Sequence, residues 1–178
     1  MIAVRLARPE DASAIVALVN SAYRGDSSRA GWTTEADLLD GQRTDEAAIV
    51  DFIAGAPRQR MLVHEHTDGA LHACVQLQNQ GDEAYLGMLT IRPTLQAAGL
   101  GRALLAAAER EVQTHWGVNR VVMTVIEQRD ELIAWYERRG YRRTGATAEF
   151  PYGDLRFGEP KRADLRFVVL AKELDITT

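Results

Sequence analysis

The chain has 178 residues, of which 46% are hydrophobic and 26% are charged, a balance typical of a globular domain with a sizeable core. Its formal net charge of −4 argues against nucleic acid or an anionic membrane as a partner, because both need clustered Lys and Arg. The single cysteine excludes an internal disulfide framework and no apolar run is long enough to span a bilayer, so we expect one cytoplasmic domain over residues 1–178.

The first third of the chain is predicted to be mainly helical. A short extended segment at 3–8 precedes Pro9, which starts a helix with acidic residues in its first turn. A loop is expected over 25–31, and a second helix over 33–39. A third helix is predicted over 45–54, ended by Gly55 and Pro57.

The spacing of apolar residues then changes to that of strands. We predict strands at 61–65 and 71–77, joined by a turn, and another at 85–91. Helical spacing returns over 99–115, and the apolar run at 121–126 predicts a strand buried on both faces. A helix over 130–139 and two strands near 141–150 and 165–172 complete the order. This order predicts a mixed α/β or α+β domain with a mostly antiparallel central sheet flanked by helices.

The turn between the strand at 85–91 and the next helix carries the strongest functional signal. It runs from Gln96 to Arg102 and holds small residues just before an Ala- and Leu-rich helix. At a helix start, backbone N–H groups lack partners and a partial positive charge develops, and small residues let a phosphate approach. We therefore predict a pyrophosphate site that needs no metal ion. The alternative is a plain tight turn.

Other phosphate-binding motifs fit this turn poorly. A Walker loop requires Lys and then Ser or Thr after the glycine, but Gly101 is followed by Arg102 and Ala103. The Rossmann fingerprint requires a third glycine where Leu104 stands. A nucleotide-binding enzyme such as a kinase is therefore disfavoured.

The turn Gln96-x-x-Gly99-x-Gly101 and a later block, residues 135–141, together resemble a known family. They are similar to the Q/R-x-x-G-x-G/A motif and the tyrosine block of the GNAT N-acetyltransferase superfamily. The resemblance implies a GNAT fold with a splayed central sheet, and acetyl-CoA as co-substrate in the gap between two strands. It also implies a set of CoA-binding positions, mostly through main-chain groups: Leu89, Ile91, Gln96, Ala97, Ala98, Gly99, Leu100, Gly101 and Arg102.

Two further positions matter for the chemistry that the resemblance implies. Tyr136 matches the family tyrosine that donates a proton to the leaving thiolate, and a phenol that stays protonated at pH 7 suits that task. The alternative is a core aromatic packed with Leu132. Arg129 stands where many members have Asn, and its longer cationic side chain is expected to reach a CoA phosphate instead.

The predicted function is transfer of an acetyl group from acetyl-CoA to a primary amine of a small molecule or peptide, by direct attack in a ternary complex. The alternative is a non-catalytic acyl-CoA-binding module that acts as a sensor or interaction domain. The acceptor amine is expected between two segments: the first holds Trp32, Glu35 and Asp37, and the second is the 150–162 loop with Tyr152. The acidic pair would suit a cationic amine. The sequence supports two interpretations of the 150–162 loop equally: a lid over the substrate, and a structural crossover between the last two strands.

No general base and no metal ligand set is evident from the sequence. Asp82, Glu83 and Glu127 are interpreted as solvated loop charges. His64 and His66 are interpreted as surface residues, because no third ligand has metal-binding spacing. Cys74 is expected to be a small buried hydrophobic residue. A homodimer is left open.

Overall fold

The computed structural model describes residues 1–175, and its helices and strands largely follow the predicted order. In the first third, strand β1 (Arg5–Leu6) is followed through a single 3-10 turn by helices α1 (Ala12–Tyr23) and α2 (Gly25–Ser28), strand β2 (Leu39–Asp40) and helix α3 (Glu46–Ala54). The remaining elements are, in chain order, β3 (Gln59–Glu65), β4 (Leu71–Asn79), β5 (Ala84–Ile91), α4 (Leu100–Trp116), β6 (Arg120–Ile126), α5 (Asp130–Glu137), β7 (Arg142–Glu149), β8 (Glu159–Pro160) and β9 (Arg166–Glu173). Over residues 1–175, no helix has the length and apolar character needed to cross a membrane.

Seven strands form one sheet in the order β1-β3-β4-β5-β6-β9-β7, and β2 pairs with β8 in a small second sheet. Neighbouring strands of the large sheet are antiparallel except β5 and β6, which run parallel. This confirms the prediction of a mostly antiparallel sheet flanked by helices.

The parallel strands β5 and β6 separate soon after they meet. Their backbone pairing is limited to Ala84 with Val121 and Tyr85 with Val122. Two irregularities accompany the separation: the register with β4 shifts between Cys74 and Gln76, and Met88 has a positive φ of 51°. These two features mark a β-bulge in β5, and a bulge bends a strand and interrupts its ladder of backbone hydrogen bonds. Beyond Tyr85 the two strands therefore leave a gap, which we call the splay.

Helices cover both faces of the sheet. On one face, α4 packs its apolar side, including Leu104, Ala108 and Val112, against the central strands. On the other face, α1 and α3 bury Ile15 and Ile49 in a second cluster that includes Cys74. Cys74 is buried, as the sequence predicts, and this burial raises the pKa of its thiol to about 12. Burying each large aliphatic side chain contributes about 1.5–3 kcal/mol to the stability of the fold. The two packed layers therefore stabilise the sheet on both sides of the splay.

The predicted helix over 33–39 is wrong. These residues form turns that lead into β2, and the preceding segment contains the short helix α2. The Oγ1 of Thr34 accepts the N–H of Ala36 at 3.0 Å, a local side-chain bond that competes with helix formation. Glu35 is drawn into the interior by arginines from other parts of the chain.

Candidate functional site

Two cavities open into the splay and meet at Tyr136. The larger cavity, of about 360 Å³, lies between the end of β5, the 96–102 loop and α5. The smaller cavity, of about 170 Å³, lies between β5, β6 and the loops that follow α1 and β7. The residues that line both cavities are Tyr23, Leu89, Arg129, Leu132 and Tyr136.

The 96–102 loop presents unpaired backbone donors to the larger cavity. Ala97 and Gly99 have positive φ values of 68° and 82°, and such left-handed turns make concave clusters of N–H groups that bind anions. Helix α4 begins directly after Gly99 without a side-chain cap. Within the described residues, the N–H groups of positions 97–102 have no hydrogen-bond partner. Free backbone donors of this kind can bind a phosphate, and the pyrophosphate site stays a prediction for this loop.

Small residues in this loop are required for two different reasons. A Cβ built on Gly99 meets no atom within 4 Å, so the space beside it is open, and its backbone conformation is one that residues with side chains rarely adopt. A Cβ on Gly101 would lie 3.3 Å from the Trp135 ring. Gly99 therefore permits the turn, whereas Gly101 permits the packing of α5 against the start of α4.

Gln96 has a structural role in addition to the one expected from the motif. Its Oε1 accepts the N–H of Trp32 at 3.0 Å, and its Nε2 donates to the carbonyl of Ile91 at 3.1 Å. A Cβ on Gly31 would collide with the Gln96 side chain. The amide of Gln96 thus ties the segment around Trp32 to the end of β5.

The end of β5 turns backbone groups toward the splay. The N–H of Arg92 donates to the carbonyl of His72 in β4. Because backbone groups alternate in direction along an antiparallel strand, the N–H and C=O groups of Leu89 and Ile91 point away from β4. Their carbonyls are already engaged, by the Tyr23 hydroxyl at 3.0 Å and by Gln96. Their N–H groups are the main-chain donors that remain for a ligand in the splay.

Arginines surround the larger cavity on the side of α5. Arg102 and Arg139 line it, and the Arg139 guanidinium lies 3.7 Å from the centre of the Trp135 ring. Burial, followed by repulsion from Arg138 and Arg102, lowers the pKa of Arg139 below its usual value. Its Nε is buried without a hydrogen-bond partner in the described residues. Arg139 carries no separate signal in the sequence, although it lies inside the tyrosine block.

The Tyr136 hydroxyl differs from the other tyrosine hydroxyls in its bonding. The other four tyrosine hydroxyls each bond to a protein group: Tyr23 to Leu89, Tyr85 to Thr124, Tyr141 to Glu109 and Tyr152 to Arg162. Across residues 1–175, no such bond is found for Tyr136, whose side chain is buried between the two cavities. Burial, and then the neighbouring Tyr23, raise the pKa of Tyr136, although Arg129 opposes this. A neutral phenol at this junction can donate a proton to either cavity.

Glu35 is held between two buried arginines. It pairs with Arg24, and Nη1 of Arg129 donates to its Oε1 at 2.9 Å. Burial alone would raise the pKa of Glu35, but Arg129, Arg24 and then Arg43 outweigh this and lower it. Glu35 is therefore an ionised, internally neutralised carboxylate, which weakens the expectation that it attracts a cationic amine.

The contacts of Arg129 argue against its expected role at a CoA phosphate. Besides Glu35, its Nη2 donates to Thr33 at 2.8 Å, and only 8% of its side chain is exposed. Both terminal nitrogens of Arg129 thus connect the segment of Thr33 and Glu35 to the start of α5. The sequence analysis missed Arg24 and Arg43, because their positions in loops carry no motif.

The two expected walls are only partly brought to the site. Trp32 lines the larger cavity, 6.4 Å from Trp135, and does not line the smaller one. Tyr152 lines neither cavity: its ring packs on Phe150 and its hydroxyl bonds to backbone groups within its own loop. That loop instead contributes Phe150 and Phe157 to the smaller cavity.

Glu35 is the only carboxylate that lines either cavity in the described residues. Asp37 lies at the surface and pairs with Arg29. Glu83 and Glu127 pair with Arg120 and Arg166 on the surface, which agrees with their interpretation as solvated charges. A general base is therefore to be sought in Glu35, in the substrate or in water.

The histidines of the β3–β4 hairpin have more neighbours than the sequence suggested. The expectation that no third ligand lies near them is wrong, because the hairpin brings Asp68 and His72 next to His66, with one ligand atom of each within 4.8 Å of the others. The rings of His66 and His72 stack at 4.6 Å. This group stands at the hairpin tip and lines neither cavity of the splay.

Comparison with known proteins identifies the class of this fold and site. The family model described as "Acetyltransferase (GNAT) family" matches residues 17–141, which is more than half of the chain. The chain therefore belongs to the GNAT acetyltransferase family, whose members use acetyl-CoA as co-substrate. A 66-residue segment is 35% identical to mycothiol acetyltransferase from Salinispora tropica, and it covers 37% of this chain and 22% of that relative.

Solved structures share the fold at low sequence identity. The ribosomal-protein-S18-alanine N-acetyltransferase from Escherichia coli is 19% identical, with a TM-score of 0.70 and coverage of 100% of this chain and 97% of its own. The yncA protein from Salmonella typhimurium, solved with its cofactor acetyl-CoA, is 19% identical, with a TM-score of 0.68 and coverage of 100% and 96%. A variant of spermidine N-acetyltransferase from Vibrio cholerae is 15% identical, with a TM-score of 0.67 and coverage of 97% and 95%. These similarities concern the fold.

Proposed function

We propose that this protein transfers an acetyl group from acetyl-CoA to a primary amine by direct attack in a ternary complex. One observation carries the proposal: among residues 1–175, the Tyr136 hydroxyl has no protein partner, and it stands where the two cavities meet. A donor at that position can serve a reaction whose two substrates enter from opposite sides of the splay. Family membership supplies acetyl-CoA as one of them.

The larger cavity is proposed as the CoA side. The N–H groups of residues 97–102 would bind the pyrophosphate, and Arg102 and Arg139 would add positive charge beside it. The N–H groups of Leu89 and Ile91 would bind carbonyl oxygens of the pantetheine arm and the acetyl group. No metal ion is needed for this recognition, because the backbone donors and the guanidinium groups already complement the phosphates.

The smaller cavity is proposed as the acceptor side, and the reaction is a simple acyl transfer. The lone pair of a neutral amine attacks the thioester carbonyl carbon, and a C–N bond forms. The C–S bond then breaks, and the leaving sulfur takes the proton of the Tyr136 hydroxyl. The proton lost by the amine nitrogen passes through water and restores the phenol. The products are the N-acetylated amine and free CoA thiol.

The amine must lose its proton before it attacks. Its ordinary pKa in a Lys-like group is near 10.4, so only a small fraction is neutral at pH 7. Glu35 is a weak base because its arginine partners lower its pKa. We therefore propose that water in the cavity carries this proton, and that the amine's own pKa governs the rate.

The experiment is release of CoA thiol from acetyl-CoA in the presence of an amine panel, with Tyr136→Phe beside the parent. Loss of one proton donor in the transition state typically costs about 10²- to 10³-fold in rate. We expect that loss in kcat, with CoA affinity nearly unchanged. Tyr141→Phe is the matched control, since its hydroxyl bonds to Glu109 away from both cavities.

Two results would count against the proposal. If Tyr136→Phe turns over at the parent rate, Tyr136 is a packing residue and not the donor. If acetyl-CoA binds but no amine releases thiol, the protein is an acyl-CoA-binding module of the kind that the sequence analysis kept as the alternative.

A further inference from the structure

The smaller cavity has an excess of positive charge. Among the residues that the structure describes, three guanidinium groups line it, those of Arg24, Arg43 and Arg129, against the single carboxylate of Glu35. Arg24 and Arg129 are 5% and 8% exposed, so solvent screens them little. A buried site with two uncompensated positive charges is poorly suited to a polyamine or another cationic acceptor, and well suited to an anion.

Arg43 is the arginine that is available to a ligand. Arg24 and Arg129 use their terminal nitrogens on Glu35, Phe157 and Thr33. The guanidinium of Arg43, by contrast, has no carboxylate or hydrogen-bond partner in the described residues, and it lies 5.6 Å from the centre of the Tyr23 ring. A planar guanidinium with free N–H groups is the group that best binds a carboxylate with two parallel hydrogen bonds.

The two buried arginines contribute charge to the cavity, and their Nε atoms are not offered to a ligand. Those Nε atoms are fully buried without a hydrogen-bond partner in residues 1–175, so a ligand in the cavity does not reach them. Arg24 and Arg129 therefore supply a positive field, and Arg43 supplies the free N–H groups.

The remaining wall of the smaller cavity is mostly apolar, and its volume is small. Most of the side chains there are apolar, among them Met88, Met123, Ile126, Phe150 and Phe167, and the hydroxyls of Tyr85 and Thr124 hydrogen-bond to each other. Its volume is about 170 Å³, slightly more than the roughly 150 Å³ that accommodates a benzene molecule. The enclosed part of the acceptor is therefore compact and largely hydrocarbon.

We propose that the acceptor is a small primary amine that also carries a carboxylate, an apolar amino acid being the simplest form. Its carboxylate would bind Arg43 in the field of Arg24 and Arg129, its apolar body would contact the β5–β6 wall, and its amine would face Tyr136. This inference rests on the proposed acetyltransferase function, and it names the class of acceptor for the same site.

The test compares L-amino acids with apolar side chains, from alanine to methionine and phenylalanine, with their own α-amides. Each pair has the same shape and differs by one negative charge. The amine of the amide is the less basic of the two, so a larger fraction of it is neutral near pH 7 and available to attack, which would favour the amide if no carboxylate subsite existed. Binding is measured by calorimetry on protein saturated with CoA, and turnover by thiol release from acetyl-CoA.

We expect the acids to bind about 10- to 100-fold more tightly than their amides, the value of one charged hydrogen-bonded pair. Arg43→Gln should reduce that ratio to near one while the KM for acetyl-CoA stays constant. Arg110→Gln, an exposed arginine on α4 that lines neither cavity, is the matched control and should keep the full ratio.

The outcomes separate this inference from the function on which it rests. Amides that bind as well as acids, an unchanged ratio in Arg43→Gln, or no binding by any acid would overturn the carboxylate subsite. Efficient thiol release with amides or polyamines would do so as well, while it supports the acetyltransferase. Preferential binding of acids without any thiol release would support the subsite and reject the transferase.

Discussion

The N–H of Trp32 donates to Oε1 of Gln96 across 3.0 Å, so the loop after α2 is tied to the first residue of the 96–102 loop. The same Gln96 amide donates to the carbonyl of Ile91 at the end of β5. One side chain thus holds together three segments that are far apart in the chain. Trp32, Ile91 and Gln96 all line the larger cavity.

Replacement of Gln96 should therefore weaken CoA binding even though its side chain need not touch the ligand. Gln96→Ala removes both hydrogen bonds, each worth about 0.5–1.5 kcal/mol, so we expect roughly 10-fold weaker binding of CoA by calorimetry. Gln96→Glu keeps the acceptor for Trp32 but sets a carboxylate oxygen against the Ile91 carbonyl and adds negative charge beside the proposed phosphates, so it should bind CoA at least as weakly as Gln96→Ala. Equal CoA affinities in the parent and both variants would show that the two hydrogen bonds of the Gln96 amide do not shape the site.

Gly99 and Gly101 should respond differently to substitution. Gly99→Val forces a branched residue into a φ of 82° beside the open space, so CoA binding should fall strongly while the core packing is untouched. Gly101→Val pushes on the Trp135 ring, so it should lower Tm as well as CoA affinity. Calorimetric titration with CoA and thermal melts distinguish the two. If both variants bind CoA as the parent does, the pyrophosphate site lies elsewhere.

The site was predictable from sequence where its parts are local. Residues 96–102 form a contiguous turn whose backbone donors follow from small residues before a helix, and Tyr136 lies in a recognisable block. The central sheet was likewise predictable, because strand patterns and their spacing survive in a single sequence. The bulge at Met88, which opens the splay, leaves no such trace, since a positive φ at a non-glycine residue is imposed by its neighbours.

Most of the smaller cavity depends on contacts between distant residues. Glu35 and Arg129 are 94 residues apart, and Arg24 reaches the backbone of Phe157 across 133 residues. The spacing of residue types along the sequence does not reveal such distant pairs. From the sequence alone, Glu35 was therefore interpreted as a free acidic group suited to a cationic amine. Its arginine partners reverse that inference. The error on the 33–39 helix has the same origin, because Glu35 leaves its local segment to reach them.

Arg139 should contribute to CoA binding through charge. Arg139→Gln removes a guanidinium that stacks on Trp135 at the edge of the larger cavity. We expect about a 10-fold loss of CoA affinity at low salt and a weaker dependence of that affinity on salt concentration. Arg110→Gln on the exposed side of α4 is the control and should leave both quantities unchanged. An Arg139 variant with the parent's salt dependence would place the phosphates away from this residue.

Glu35 should govern stability in a defined pH range. Its pKa is lowered in the folded state, so its contribution is present above the ordinary Glu value of about 4.3 and is lost as pH falls through the folded value. Glu35→Gln leaves Arg24 and Arg129 buried without their counter-charge, and it should cost about 3 kcal/mol or more of unfolding free energy at pH 7. The difference in Tm between parent and variant should shrink as pH falls below 4.

The control for this experiment is Glu127→Gln, which breaks an exposed pair with Arg166 and should leave Tm nearly unchanged. A Glu35→Gln variant as stable as the parent at pH 7 would mean that the two arginines are solvated. In that case the smaller cavity would lack the positive field on which the carboxylate subsite depends.

The pH dependence of turnover should distinguish the amine from Tyr136. Because burial raises the pKa of Tyr136, its phenol stays protonated beyond its ordinary value of about 10, and no descending limb should appear below pH 9. The ratio kcat/KM for the acceptor should instead rise with pH until the amine is neutral, and then level off. Tyr136→Phe should keep the ascending limb and lower the plateau. Thiol release without amine, measured in parallel, corrects for hydrolysis of the thioester. A descending limb near pH 7–8 that persists in Tyr136→Phe would mean that another acid, with a lower pKa, protonates the leaving sulfur.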